Sequence, residues 1–219
     1  MICFDDIKND NAILTYIDAA DKALAAIGYT EHSLAHVGRV SSDTARILLE
    51  LGYDEHTAEL GSIAGYLHDI GNLINRVDHS QSGALMAFRI LDKMGMPPED
   101  IATIVTAIGN HDEGCGTPVS SVAAALIIAD KSDVRRSRVR NLDVAPLDIH
   151  DRVNYSVKSS TIRINKEASE ITLHLTIDTS IGSIMDYFEI FLDRMMLCRR
   201  AAEKLGLVFK LIINGQNII

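Results

Sequence analysis

The chain has 219 residues, of which 47% are hydrophobic, so its length suits one large domain or one mid-sized domain with a small appendage. Its net charge of −9 at pH 7 would repel the phosphates of a nucleic-acid duplex, which argues against a duplex-binding protein, although a bound metal ion could still attract a small anion. Three cysteines without a Cys-x-x-Cys pair argue against a disulfide framework and favour a cytoplasmic protein. The N-terminus lacks a signal-peptide pattern and no apolar stretch approaches the ~20 residues of a membrane span, so we expect no membrane association.

Up to about residue 141, apolar residues recur at helical spacing between Gly, Pro and polar breaks. This pattern predicts a bundle of six helices. The last helix is expected to continue into a cluster of four arginines, Arg135, Arg136, Arg138 and Arg140. The predicted helices cover residues 11–27, 32–51, 55–69, 79–94, a segment from 97 towards 111, and a segment from 118 through 130.

After Pro146 the pattern changes. Residues 153–166 are rich in β-branched side chains, and residues 171–178 alternate apolar and polar positions as a half-buried strand does. Residues 184–205 carry one apolar helical face, and residues 207–213 are typical of a last strand. The prediction is therefore a mainly α protein, with a helical-bundle domain at 1–145 followed by a small α+β domain of β-β-α-β order at 146–219.

Six residues stand out as candidate metal ligands, because each lies in or beside a predicted helix and a bundle can aim such side chains at one interior point. Imidazole nitrogen combined with carboxylate oxygen suits Mn, Fe, Co, Ni or Zn better than Mg or Ca. In an adjacent His-Asp pair, the carboxylate can bridge two ions while the imidazole holds one. The six are His36, His68, Asp69, His79, His111 and Asp130.

The segment Tyr66-Leu67-His68-Asp69-Ile70-Gly71 strongly resembles the signature of the HD-domain phosphohydrolase superfamily. The upstream His36 and the downstream Asp130 match the first His and the last Asp of that family. Together these matches span roughly residues 30–135. The resemblance implies that His36, His68, Asp69 and Asp130 hold one metal ion.

His79 and His111 resemble the extra ligands of the binuclear branches, which include cyclic-dinucleotide phosphodiesterases and hydrolases of symmetric dinucleoside tetraphosphates. The resemblance implies two divalent transition-metal ions (Fe, Mn, Ni, Co or Zn), the second held by Asp69, His79 and His111 with Asp69 as the bridge. Two departures concern the substrate. Asn72 stands where many members carry a phosphate-contacting Lys, and the Gly-Tyr-Pro triplet of the cyclic-di-GMP branch is absent.

The resulting prediction is a metal-dependent phosphohydrolase that cleaves a phosphate ester or anhydride, as a phosphomonoesterase or a phosphodiesterase, with Asp69 and His68 as catalytic residues. The nucleophile is expected to be a water whose pKa the metal lowers. A small phosphorylated, nucleotide-like molecule is the expected substrate. Lys131 and Arg138 are the candidate substrate-binding cations, since a continuing helix would place them about 100° and 80° from Asp130.

Two other functions are compatible with the same residues. A di-iron oxygenase could use the same ligand set and would consume oxygen in an iron-dependent reaction. A metal-binding signalling module without turnover is the third reading, and the C-terminal segment could bind an effector or mediate homo-oligomer formation. His32 is predicted to be structural or exposed, and Asp112 or Glu113 is a candidate second-sphere partner or proton carrier.

Overall fold

The structure is a computed structural model that describes residues 2–140 and 149–219. In these residues seven α-helices precede residue 140, and two α-helices and four strands lie between residues 149 and 219. The helices are α1 (Phe4–Lys8), α2 (Asn11–Ala26), α3 (Leu34–Leu51), α4 (Glu55–Leu67), α5 (His79–Met94), α6 (Pro98–Gly109), α7 (Ser121–Ser132), α8 (Ile149–Ser156) and α9 (Ile184–Lys204). The strands are β1 (Val157–Asn165), β2 (Glu170–Ile177), β3 (Val208–Ile213) and β4 (Gln216–Asn217). The mainly α fold class is therefore confirmed.

Helix ends follow local chemistry. Ser33, Asp54 and Ser120 begin α3, α4 and α7 by accepting hydrogen bonds from the first free backbone N–H groups. Gly52 and Gly95 end α3 and α5 in the left-handed conformation, at φ 93° and 84°, which a residue without Cβ adopts at no steric cost.

Two predicted elements are wrong at their ends. The sixth helix does not continue into the arginines: α7 ends at Ser132, and Arg136–Arg138 form a separate 3-10 turn. Asp133, the residue after α7, has left the helical conformation, and its carboxylate is engaged by His36 and Arg135. In the tail, residues 153–156 belong to α8 rather than to a strand, and most of the β-branched side chains behind that prediction lie in β1.

The sheet has the order β1-β2-β3-β4. Strands β1 and β2 are antiparallel, β2 and β3 are parallel, and β3 and β4 are antiparallel. The parallel pair requires a crossover, which α9 supplies. The strand β4, which follows the predicted last strand, is an addition to the predicted β-β-α-β order.

Helix α7 lies at the centre of the molecule, and every side chain from Val122 to Ala129 is buried. It packs against α3, α4 and α6 on one side and against α9 on another. The buried apolar residues of the bundle, of α9 and of the sheet form a single cluster. The predicted domain boundary, between residues 145 and 146, lies outside the described residues, and the core is shared by the elements on both sides of it.

None of the helices in the described ranges is long and apolar enough to cross a membrane.

Candidate metal centre

The six predicted ligands come from six positions at helix ends or within helices, and the fold brings all of them to one interior point. Asp69 opens the 3-10 turn Ile70–Leu73, and Gly71 allows this turn to touch the start of α5. A Cβ at Gly71 would lie 2.0 Å from the backbone oxygen of His79, so no larger residue fits there. The other positions are the first turn of α3 for His36, the C-cap of α4 for His68, the first residue of α5 for His79, the segment after α6 for His111, and the last turn of α7 for Asp130.

All four imidazole rings are fixed in the same way. Each Nδ1–H donates to an oxygen of the surrounding structure, which directs Nε2 at the centre, where it can bind a cation when it carries no proton. The acceptors are Asp133 Oδ2 for His36 and the carbonyl oxygens of Gly65, Arg76 and Ile108 for His68, His79 and His111, at 2.8, 2.8, 3.1 and 2.6 Å.

The first donor group joins His36, His68 and Asp130, whose ligand atoms all lie within 4.8 Å of one another. Asp130 Oδ1 is 3.4 Å from His36 Nε2 and 3.6 Å from His68 Nε2. Asp69 Oδ2 is 3.5 Å and 3.2 Å from the same two nitrogens. Neither Nε2 atom has a hydrogen-bond partner among the described residues although both are buried, and a buried polar atom without a partner is costly unless a cation binds it.

The second donor group lies on the other side of Asp69. The ligand atoms of His68, Asp69 and His111 again lie within 4.8 Å of one another. His79 joins them: its Nε2 is 3.2 Å from His111 Nε2 and 3.5 Å from Asp69 Oδ1. Two imidazole lone pairs that face each other at this distance repel unless a cation lies between them. Asp69 Oδ2 thus faces His36 and His68 while Oδ1 faces His79, an arrangement that suits a bridging carboxylate.

The electrostatics of the site favour bound cations. Burial lowers the pKa of His68, but the carboxylates of Asp69 and Asp130 outweigh burial and raise that pKa to about 10. Burial lowers the pKa of both His79 and His111, so these two rings are neutral, as metal ligands must be. A proton and a metal ion would compete for the same nitrogen of His68, and the carboxylates of Asp69 and Asp130 would stabilise either one.

Asp69 is oriented by Asn72, the residue at which this chain departs from the family pattern. The buried Asn72 amide donates to both the side-chain Oδ1 and the backbone oxygen of Asp69, each at 2.9 Å. Arg76 Nη1 lies 3.4 Å from Asn72 Oδ1 and 3.3 Å from His79 Nε2. Asn72 therefore helps to fix the orientation of the Asp69 carboxylate.

A cavity of about 430 Å³ opens onto the donors, and Asp69, His79 and Asp130 line it. It is rich in cations, and its wall includes the side chains of Arg76, Lys131, Arg138 and Arg194. A cavity with this lining suits a small anionic molecule.

The two predicted substrate-binding cations both line this cavity but differ in their partners. Lys131 Nζ lies 2.8 Å from Asp130 Oδ2 and 2.6 Å from Glu113 Oε2. It therefore contacts one of the candidate metal ligands, Asp130. Arg138 donates through Nε to the carbonyl of Glu31 and through Nη1 to that of Asp133. The helical rotation used to place Arg138 does not apply, since α7 ends before it. Substrate binding by either residue stays a prediction.

Sequence reasoning passed over several residues at the site. His32, expected to be structural or exposed, is half-buried and lines the cavity. Asp133 anchors His36, and its only signal was its place one helical turn after Asp130. Phe191 and Arg194 reach the cavity from α9, and no motif surrounds them in the sequence.

Comparison with known protein families identifies the family to which the chain belongs. A sequence model of the HD domain family matches residues 33–153, more than half of the chain and a range that contains all six candidate ligands. The chain belongs to the HD domain family.

The chain is also similar to one relative by sequence and to one solved structure. An uncharacterized protein of Methanocaldococcus jannaschii is 23% identical over 159 residues, which cover 63% of this chain and 61% of that protein. The chain thus spans less than two thirds of the length of that relative. The crystal structure of a predicted HD superfamily hydrolase from an uncultured Thermotogales bacterium is similar at a TM-score of 0.45 and 28% identity, covering 57% of this chain and 67% of the other.

Proposed function

We propose that this HD-domain protein is a metal-dependent phosphohydrolase that cleaves a phosphate ester or anhydride of a small, nucleotide-like substrate. The observation that carries the proposal is the convergence of four imidazole Nε2 atoms and the carboxylates of Asp69 and Asp130 at one buried point. This donor set fits divalent transition metals, with His36, His68, Asp69 and Asp130 holding one ion and Asp69, His79 and His111 a second. Ions bound there would activate water as the nucleophile and neutralise phosphoryl oxygens.

The side chains around the donors have separable tasks. Asp133 and the backbone carbonyls keep each imidazole in the tautomer whose Nε2 can bind a cation. Asn72 keeps both oxygens of Asp69 directed at the two donor groups. The cationic wall of the cavity would hold the anionic substrate against the donors, and catalysis of phosphoryl transfer consists mainly of such positioning and charge stabilisation.

Glu113 is an ionised partner of the cations rather than a proton donor. Burial alone would raise its pKa, but Lys131 and Arg194 outweigh burial and hold the pKa well below its usual range. The carboxylate is therefore unprotonated at neutral pH and serves to fix the two cations beside it.

The test compares the wild-type protein with Asp69→Ala and with Asp92→Ala, an exposed carboxylate on α5 as the matched control. Each protein is purified anaerobically, its metal content is counted by mass spectrometry, and phosphate release is measured from nucleotides, cyclic dinucleotides and nitrophenyl phosphates. We expect two transition-metal ions per chain, metal-dependent turnover, and a loss on the order of 10³-fold or more in Asp69→Ala alone, because that variant removes the bridging carboxylate.

Substantial turnover in Asp69→Ala would overturn the proposal, as would no turnover with any of Mn, Fe, Co, Ni or Zn. Iron-dependent oxygen consumption without phosphate release would instead support the di-iron oxygenase. About one ion per chain would leave hydrolysis in place but remove His79 and His111 from the ligand set.

A further inference from the structure

Arg194 lies on α9, outside the residues 33–153 that match the family, yet its side chain lines the cavity in front of the metal donors. It comes to this position because α9 packs against α7, the helix that carries Asp130. Its side chain is 22% exposed, so the guanidinium is neither sealed in the core nor free in solvent.

Two contacts hold the guanidinium in place. Its Nε donates to Glu113 Oε1 at 3.0 Å, and its Cζ lies over the ring of Phe191, 4.4 Å from the centroid. The ring is fully buried and belongs to the preceding turn of α9, so it gives the cation a rigid platform. An arginine held in this way loses little conformational freedom when it binds a ligand.

Arg194 is the far end of a chain of charges that leads to the metal donors. Glu113 joins Arg194 through one oxygen and Lys131 through the other, and Lys131 reaches Asp130. One carboxylate thus fixes two cations, and among the described residues no hydrogen bond from Nη1 or Nη2 of Arg194 is found. The Nη atoms are the part of the guanidinium that forms paired bonds with carboxylates and phosphates.

The cavity is lined by more cations than carboxylates, which favours an anionic partner. The cations are Arg76, Lys131, Arg138 and Arg194, and the carboxylates are Asp69, Glu113 and Asp130. Divalent ions at the donors would add further positive charge.

We propose that Arg194 binds phosphoryl oxygens of the substrate together with Lys131, so that the C-terminal helix α9 supplies part of the substrate site of the HD domain. That the anion is a substrate phosphate rests on the proposed function. The binding of a phosphate anion by Arg194 can be measured without turnover.

The experiment measures binding of inorganic phosphate to the metal-loaded full chain by calorimetry, after unbound metal has been removed, alongside metal content and thermal stability. Arg194→Gln removes the cation, and Arg194→Lys keeps the charge beside Glu113 but loses the planar fork. Arg199→Gln, an exposed arginine on the same helix that pairs with Glu203, is the matched control. We expect phosphate affinity to fall about 10- to 100-fold in Arg194→Gln and by a smaller factor in Arg194→Lys, with metal content unchanged and Arg199→Gln equal to wild type.

Several results would overturn the inference. The first is a phosphate affinity in both Arg194 variants that stays within about twofold of wild type. The second is a loss of bound metal that accounts for the weaker affinity. The third is that the wild type binds no phosphate at about 10 mM. Failure of the proposed function gives a different result, because a protein that hydrolyses no phosphate compound but binds phosphate in an Arg194-dependent manner would contradict only the hydrolysis.

Discussion

The bundle and the C-terminal elements contribute to the same cavity in different ways. Within the described residues, the bundle with its connecting turns carries all six candidate metal ligands, whereas α8 and α9 carry none of them. The C-terminal elements instead line the cavity with His150, Asn154, Phe191 and Arg194. The candidate metal ligands and part of the cavity wall therefore come from different stretches of one shared core.

The two stretches also differ in how their side chains are fixed. Three of the four ligand histidines donate to the carbonyl three residues before them, so their orientation is set by local helix-end geometry. Arg194 is fixed by Glu113, 81 residues away in sequence, which only the packing of α9 on the bundle brings close. Local contacts orient the donors, and tertiary packing positions the cationic wall.

The largest expected effect comes from removing the C-terminal elements. A chain that ends at residue 145 would expose the side of α7 that α9 covers and would lose the buried Tyr187, Phe191, Met195 and Leu197. Each such side chain contributes about 1.5–3 kcal/mol by burial, so their combined loss is comparable with the ~5–15 kcal/mol that stabilises a typical domain. We expect the truncated chain to lose its cooperative unfolding transition, as measured by circular dichroism during thermal and urea denaturation.

The control for this truncation removes only β4 and the residues after it, from Gln216 onward, and all four of these residues are exposed. This shorter truncation should unfold almost as the full chain does. A cooperative, metal-binding fragment of residues 1–145 would contradict the expectation. It would show that the bundle is an independent domain and that the C-terminal elements are an attachment to it.

A second, intermediate effect should appear in the pH dependence of the metal-free protein. The pKa of His68 is raised to about 10 in the folded protein, above the usual histidine pKa of 6.5. The resulting stabilisation is fully present below pH 6.5 and is lost as pH rises through the folded-state value, because the proton must leave the folded site. We expect the free energy of unfolding of the metal-free protein to fall between pH 7 and pH 10, on the order of a few kcal/mol.

Urea titrations at several pH values, with and without metal, measure this change. The metal-loaded protein should lose less stability over the same range, since an ion takes the place of the proton between His68 and the two carboxylates. A metal-free protein as stable at pH 10 as at pH 7 would show that the carboxylates do not hold a proton on His68.

The contrast between local and tertiary contacts explains what could be predicted from the sequence. Helices α2 to α7 and the chain order of β1, β2, α9 and β3 could be predicted from periodicity, whereas α1 and α8 were not predicted. The spacing of His36, His68 and Asp130 on separate helices suggested a common centre, which the fold provides. The end of α7 could not be predicted, because Asp133 at its C-cap is held by His36, 97 residues earlier, and the local sequence does not indicate this contact. The contribution of Arg194 had no signal either, since an isolated arginine on an amphipathic helix is ordinarily solvated.

The smallest expected effect tests how finely the local contacts orient the donors. Asn72→Ala removes the amide that holds Asp69 Oδ1 but no candidate ligand, and the small change in a buried side chain should leave the fold intact. We expect metal affinity to fall about 10- to 100-fold, as is typical when an outer partner of a ligand is lost, with phosphate binding to the fully metal-loaded protein much less affected. Competition with a chelator measures the affinity, and Asn165→Ala, an exposed residue at the end of β1, is the control. If Asn72→Ala binds metal as tightly as wild type, the Asp69 carboxylate is held by the ions and histidines alone, and its local contact with Asn72 does not orient it.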